Sequence, residues 1–213
     1  MTDDELGAPL RRHALRAMIA APIALAAGAA AAQTGGRGNL AARLDALEAR
    51  QEITELLHAY ARGNDRADEA MIRACFWPES THRHGRFDGP SSEFVPFAMR
   101  IISGLLYAAH HISNVSIEVR GNRAFSECYY FAHHRRPARD GRGEEDAFFE
   151  GRYIDRHERR GDEWRIIQRR GLSDYSAVVP AATPFASWPE GQHSLRAPND
   201  DYYAMRRAFE AGD

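Results

Sequence analysis

The 213-residue sequence predicts an α+β fold, with helices first and a mostly antiparallel sheet after them. Three observations carry this. Leu40, Leu44, Leu47, Ile53, Leu56, Leu57 and Tyr60 recur at mostly three- and four-residue intervals, the period of a helix with one apolar face. From His110 onward the period changes to two. The alternating runs are separated by Gly121-Asn122 and Arg160-Gly161-Asp162, the residue types of hairpin turns. A curved sheet wrapped around a long N-terminal helix makes a cone-shaped α+β barrel whose interior suits a small molecule better than a macromolecule.

The elements follow in order. The first helix runs from Leu40 to about Gly63, and Asn64 and Asp65 are placed to cap a second helix, Ala67 to Phe76, which Pro78 stops. Thr81 to Phe87 is a short strand closed by Asp88-Gly89-Pro90. Glu93 to Leu106 has helical spacing through Phe94, Phe97, Ile101 and Leu105. Two hairpins come next: His111–Arg120 with Ala124–Arg135, and Ala147–Arg159 with Glu163–Gly171. Residues 136–146, rich in glycine and charge, form an exposed loop between them. From Ser173 the chain reads as irregular, with four prolines and a short helix near Asp200–Ala211. No internal repeat is present.

Composition narrows the function classes. A net charge of −2 with 27% charged residues is too balanced for a basic nucleic-acid module, and no run is apolar enough to cross a membrane as a helix. All 28 basic residues are arginine, so Schiff-base chemistry and lysine-dependent phosphate loops are excluded. Two cysteines, Cys75 and Cys128, are too few for a disulfide scaffold or a cysteine-rich zinc site. If the chain is exported, a bridge between them is permitted but not implied.

Residues 1–34 read as an address. Arg11-Arg12-His13-Ala14-Leu15-Arg16 precedes an alanine-rich apolar run from Ala17 to Ala32, the pattern of an export signal with twin-arginine character. This predicts a periplasmic protein, with an uncleaved cytoplasmic helix as the alternative. The expected domains are 1–34, a main domain 35–175, and a tail 176–213 that serves as a pocket lid or a subunit contact through Tyr175, Phe185 and Trp188.

Certain residues could carry chemistry. Asp65, read on its own, is a plain helix cap. His110 and His111 point to opposite faces of their strand, as do Arg169 and Arg170. Tyr60 continues the apolar stripe of the first helix with its hydroxyl at the rim. His82 and His84 share a strand face and, with His110, raise a metal site; His82 as a pocket-lining residue is the preferred reading. His133-His134 before Arg135-Arg136 reads as the solvated end of a strand. Trp77, Phe94, Phe97, Tyr107 and Tyr130 are candidates for core or pocket wall.

The run Tyr60-Ala61-Arg62-Gly63-Asn64-Asp65, the segment His110-His111-Ile112-Ser113-Asn114, and Tyr153-Ile154-Asp155 followed by Trp164-Arg165-Ile166-Ile167-Gln168-Arg169 resemble the SnoaL-like branch of the nuclear transport factor 2-like superfamily. The likeness spans Leu40 to Tyr175. Its lyases and isomerases include scytalone dehydratase, bile-acid 7α-dehydratase and lindane dehydrochlorinase. The resemblance implies a catalytic set of Tyr60, Asp65, His110 and Arg169, with no cofactor and no metal; the residue reading adds His82, Trp77, Tyr107 and Tyr130 as the side chains expected around the substrate. It implies a homo-oligomer, a trimer before a dimer. The expected activity is removal of a proton from a small hydrophobic, ring-containing compound, aromatic or steroid-like. Loss of water, release of formaldehyde or a double-bond shift would follow. The alternative is an exported small-molecule-binding protein of the same fold that leaves the pair unused.

Overall fold

A computed structural model describes residues 39–189 and 191–212. The export-signal reading of residues 1–34 lies outside them. The chain divides into two units, Met1–Glu48 and Ala49–Asp213. The described part of the first, residues 39–48, is helical, with Leu40, Leu44 and Leu47 exposed.

The second unit holds everything else. Helix α1 (39–66) is followed by α2 (Glu69–Ala74), β1 (Phe76–His84), β2 (Phe87–Pro90) and α3 (Ser91–Ile102). Then come β3 (Tyr107–Arg120), β4 (Arg123–Pro137), β5 (Glu144–Arg160), β6 (Glu163–Pro180) and α4 (Asp201–Ala211). The six strands form one sheet in the order β2-β1-β6-β5-β4-β3. Only β1 and β6 pair in parallel; the other pairs are antiparallel. The sheet is open, with β2 and β3 as its edges. Register shifts in β3–β4 and β5–β6 mark bulges, the device that bends long strands into a concave face.

Several boundaries differ from the sequence reading. Helix α1 runs past Gly63 because Asn64 turns its side-chain amide back onto the Tyr60 carbonyl (2.8 Å), and Asp68 caps α2 by accepting from the Met71 amide. The first strand is a hairpin that turns at Gly85-Arg86, where Gly85 takes the positive φ of 58° that such a turn favours. Pro78 does not break β1, because it falls in the stretch between Phe76 and Thr81 where the pairing with β6 shifts. Strand β6 extends through Ser173–Pro180, where an irregular tail was expected. A bulge at Glu150/Gly151 lets it go on pairing with Glu145–Glu150.

The concave face holds the core. Leu57 and Tyr60 of α1, Ile72 and Cys75 at α2, Val95, Ala98 and Ile102 of α3, and Cys128, Tyr153 and Ile166 of the sheet form one buried cluster. Burying an aliphatic side chain of this kind contributes about 2 kcal/mol. The helices approach closely at Gly63, where an added Cβ would lie 2.8 Å from Ile72 Cγ1. Cys75 and Cys128 are both free thiols, and burial pushes each up to about 12.

One ion pair lies within this apolar cluster. Asp155 and Arg169 face each other across β5–β6 and are fully buried. Arg169 donates from Nε to Asp155 Oδ1 (2.8 Å) and from Nη2 to Oδ2 (2.6 Å). Burial alone would lower the guanidinium's pKa, but the charge and hydrogen bonds of Asp155 outweigh it and the net shift is upward. The guanidinium carbon lies 4.1 Å from the ring centre of Tyr60 and 4.3 Å from that of Tyr153. Removing one charge from such a pair leaves the other buried and unpaired. We expect Arg169→Met to lose about 3–5 kcal/mol of stability in urea unfolding, and Arg169→Met with Asp155→Leu to lose much less.

Candidate functional site

A cavity of about 670 Å³ opens on the concave face. Helix α3 supplies one wall with Phe94, Phe97, Ala98, Ile101 and Ile102, and Phe149 of β5 closes another. The polar lining comes from Tyr60 and Asn64 of α1, His84 of β1, His110 of β3, His134 of β4 and Tyr153 of β5. Arg86 and Arg139 belong to the lining from two turns. A volume of this size holds a compound of a few fused or linked rings.

At the polar end, His110 Nδ1 lies 2.7 Å from Asp65 Oδ1. The two groups come from distant elements: Asp65 from the last turn of α1, His110 from the start of β3. Strand alternation sends His110 inward and leaves His111 exposed, which decides between the two. With a carboxylate on Nδ1, the imidazole keeps its proton there and presents Nε2 as the acceptor. A carboxylate in the last turn of a helix stands at the unfavourable end of the helix dipole, so the position of Asp65 is not explained by helix stability.

Two further histidines share the cavity in a different state. The ring of His134 is 5.3 Å from that of His110, and its Nε2 is buried without a partner among the described residues. Burial, together with the neighbouring His110 and Arg136, pushes it down to about 3. Burial and the Arg169 charge push His84 down to about 4. Both are therefore neutral imidazoles at neutral pH, able to donate or accept a hydrogen bond without adding charge. Gly171 makes room for His84, since a Cβ there would meet its imidazole at 2.5 Å. His134 corrects the expectation of a solvated strand end. The even numbers of β4 face inward, a signal the alternation of Cys128, Tyr130 and Ala132 carries in the sequence.

Other expected site residues are placed differently. Tyr60 lines the cavity, and burial raises its hydroxyl pKa against the opposing charge of Arg169. Arg169 does not reach Asp65; Asp155 holds it beneath the Tyr60 ring. His82 is buried behind the wall, stacked on Phe94 at 3.4 Å between ring centres, and burial pushes it down to about 2. Tyr130 lies behind His84, donating to the Leu172 carbonyl (3.1 Å) and stacking on Tyr153. Trp77 faces outward between Arg160 and Arg165, its indole N–H on the Glu158 carbonyl. Tyr107 lies on the opposite face of β3 from His110, against His133 and Phe185. None of the tail's described residues lines this cavity; Phe185 and Trp188 border a separate groove with Tyr107. Among the described residues no three His, Cys, Asp or Glu side chains converge at metal-ligand spacing.

A family model described as the SnoaL-like domain matches residues 45–170. The chain belongs to this family. Solved structures share its fold. Hexachlorocyclohexane dehydrochlorinase (LinA, type 2) gives a TM-score of 0.57 at 19% identity, with 70% of this chain and 98% of the other covered. A scytalone-dehydratase-like protein of Novosphingobium aromaticivorans gives 0.56 at 20%, covering 67% and 97%. A nuclear transport factor 2-like protein of Salmonella enterica serovar Typhimurium gives 0.50 at 22%, covering 67% and 95%. No curated protein matches the SnoaL-like chain in sequence.

The buried histidines set a pH dependence of stability. His82, His84, His134 and His157 all lie below the unfolded value of about 6.5, so the unfolded chain takes up protons first. Their contribution is intact above about pH 6.5 and falls as the pH drops from there toward the folded values, by up to about 1.4 kcal/mol per histidine per pH unit. Urea midpoints measured between pH 7 and pH 5 should fall steadily, and His134→Phe should flatten the slope by one proton.

Proposed function

We propose that this SnoaL-like protein is a lyase or isomerase that removes a proton from a small, apolar, ring-containing substrate, with His110 as the base and Asp65 as its partner. The observation that carries the reading is the 2.7 Å contact between His110 Nδ1 and Asp65 at a cavity whose facing wall, from α3 and Phe149, is aromatic and aliphatic. Nε2 takes a proton from a carbon next to an activating group, and Asp65 stabilises the imidazolium that forms. The electron pair left on carbon either expels a leaving group from the neighbouring carbon or shifts a double bond. In a dehydration the imidazolium returns its proton to the departing hydroxide, so that water leaves and His110 is regenerated.

The other polar groups fit the negative charge that develops on substrate oxygen. With its pKa raised, Tyr60 is a hydrogen-bond donor to a carbonyl or enolate oxygen rather than a proton source. Neutral His134 and His84 can serve the same oxygen or a ring hydroxyl. Each step of this scheme is carried by side chains of this chain. The fold neighbours named as a dehydrochlorinase and a scytalone-dehydratase-like protein support an elimination, as does the family. Export to the periplasm and assembly into a trimer complete the proposal; they rest on the sequence of residues 1–34 and on the resemblance.

The test is mass spectrometry of hydroxylated aryl and steroid compounds incubated with the full chain in deuterium oxide. Deuterium uptake, or loss of the mass of water or formaldehyde, is expected with the wild type, and His110→Ala or Asp65→Asn should slow it by about 10²–10⁴. Compounds that bind tightly yet neither exchange nor break down, in wild type and variants alike, would establish a binding protein instead.

A further inference from the structure

An α-helix leaves its last four carbonyls without partners in the helix. In α1 these belong to Gly63, Asn64, Asp65 and Arg66. The first two are closed locally: the Asp68 amide donates to Gly63 O (2.9 Å) and the Ala67 amide to Asn64 O (3.2 Å). This is a Schellman turn, with Ala67 in the left-handed region at φ 52°. The last two are closed by the C-terminal segment. Arg196 Nη1 donates to Asp65 O (2.8 Å), and the Ala197 amide donates to Arg66 O (2.8 Å).

The second guanidinium nitrogen of Arg196, Nη2, donates to Leu105 O (3.1 Å), two residues before β3 begins. One planar group therefore ties the peptide of Asp65 to the root of the strand that carries His110. Arg196 is half-buried, and the charge of Asp65 opposes the lowering that burial imposes on it. Its cation also offsets the negative end of the α1 dipole, where the Asp65 carboxylate is otherwise disfavoured. The segment that presents it is anchored on both sides. Asp200 accepts from the amides of Leu195 (3.0 Å) and Tyr202 (3.2 Å), Arg66 Nε reaches Asp200 (3.4 Å), and the Tyr203 hydroxyl donates to Asp68 (2.6 Å).

We infer that Arg196 is a positioning residue for the Asp65–His110 pair. It completes the carbonyl end of α1 from the C-terminal segment and holds α1 and β3 at the separation that lets the 2.7 Å hydrogen bond form. For catalysis this rests on the lyase reading above; for geometry it stands alone, and the experiment separates the two.

The readout is the low-field proton resonance of the His110 Nδ1–H in the full-length chain, assigned by its loss in Asp65→Asn. It is expected in the wild type, broadened or lost in Arg196→Ala, and recovered when guanidinium is added to that variant at tens of millimolar. Arg196→Lys keeps the charge but not the planar fork, and should be intermediate. If a substrate is in hand, kcat should fall at least tenfold in Arg196→Ala with KM little changed. A folded Arg196→Ala whose resonance matches the wild type overturns the inference, as does a wild type without the resonance. Should Arg196→Ala fail to fold, an Arg196→Gln resonance equal to that of the wild type overturns it equally. A resonance that follows Arg196 in a chain that turns over nothing supports the positioning role and counts against the lyase reading.

Discussion

The buried pair of Arg169 and Asp155 is the constraint around which the concave face is arranged. Two full charges stand inside an apolar cluster, and the structure keeps them only by matching the guanidinium fork to both carboxylate oxygens. That match requires β5 and β6 to hold one register. It also dictates what lies on top, since the rings of Tyr60 and Tyr153 cover the cation. Tyr60 places α1 across the sheet, and the last turn of α1 in turn places Asp65. A pair with no direct contact to the dyad thus fixes where one half of it stands.

Imidazoles that share one cavity are put to different uses by their surroundings. His110 has a carboxylate on one ring nitrogen, the arrangement on which its proposed role as base rests. His134 and His84 have burial and neighbouring cations instead, and stay neutral. In the proposed reaction the site would separate proton transfer from hydrogen bonding within one residue type, using only the identity of the group beside each ring.

Much of this was legible in the sequence. The change of period from helical spacing to alternation near His110 marks the α+β order, and the turn residues at Gly121 and Gly161 place both long hairpins. Tyr60, Asp65 and His110 follow from the family resemblance and lie near one another. The placement of Arg169 was not legible, for a physical reason. Counting back from the turn at 160–163 without interruption sets Asp155 opposite Gln168; a bulge at Arg156/His157 moves the register by one and brings in Arg169. Trp77 and Tyr107 carry the composition of a pocket wall, and only strand direction and edge position send them outward. The role of the tail was hidden because Arg196 and Asp65 are separated by 131 positions, and a cap supplied from that distance has no local signature.

The apolar wall of the cavity has a different standing from its polar end. Phe94, Phe97, Ala98, Ile101 and Ile102 all belong to α3, a single helix that contributes nothing to the dyad, to the buried ion pair or to the closure of α1. Phe94, Ala98 and Ile102 also pack in the core cluster with Tyr60, whereas Ile101 is half exposed, so exchanges at Ile101 would reshape the space offered to a ring system with least disturbance to Asp65 and His110. If the proposed reaction holds, a change of preferred compound could come from within a dozen consecutive codons, before any change to Asp65 or His110.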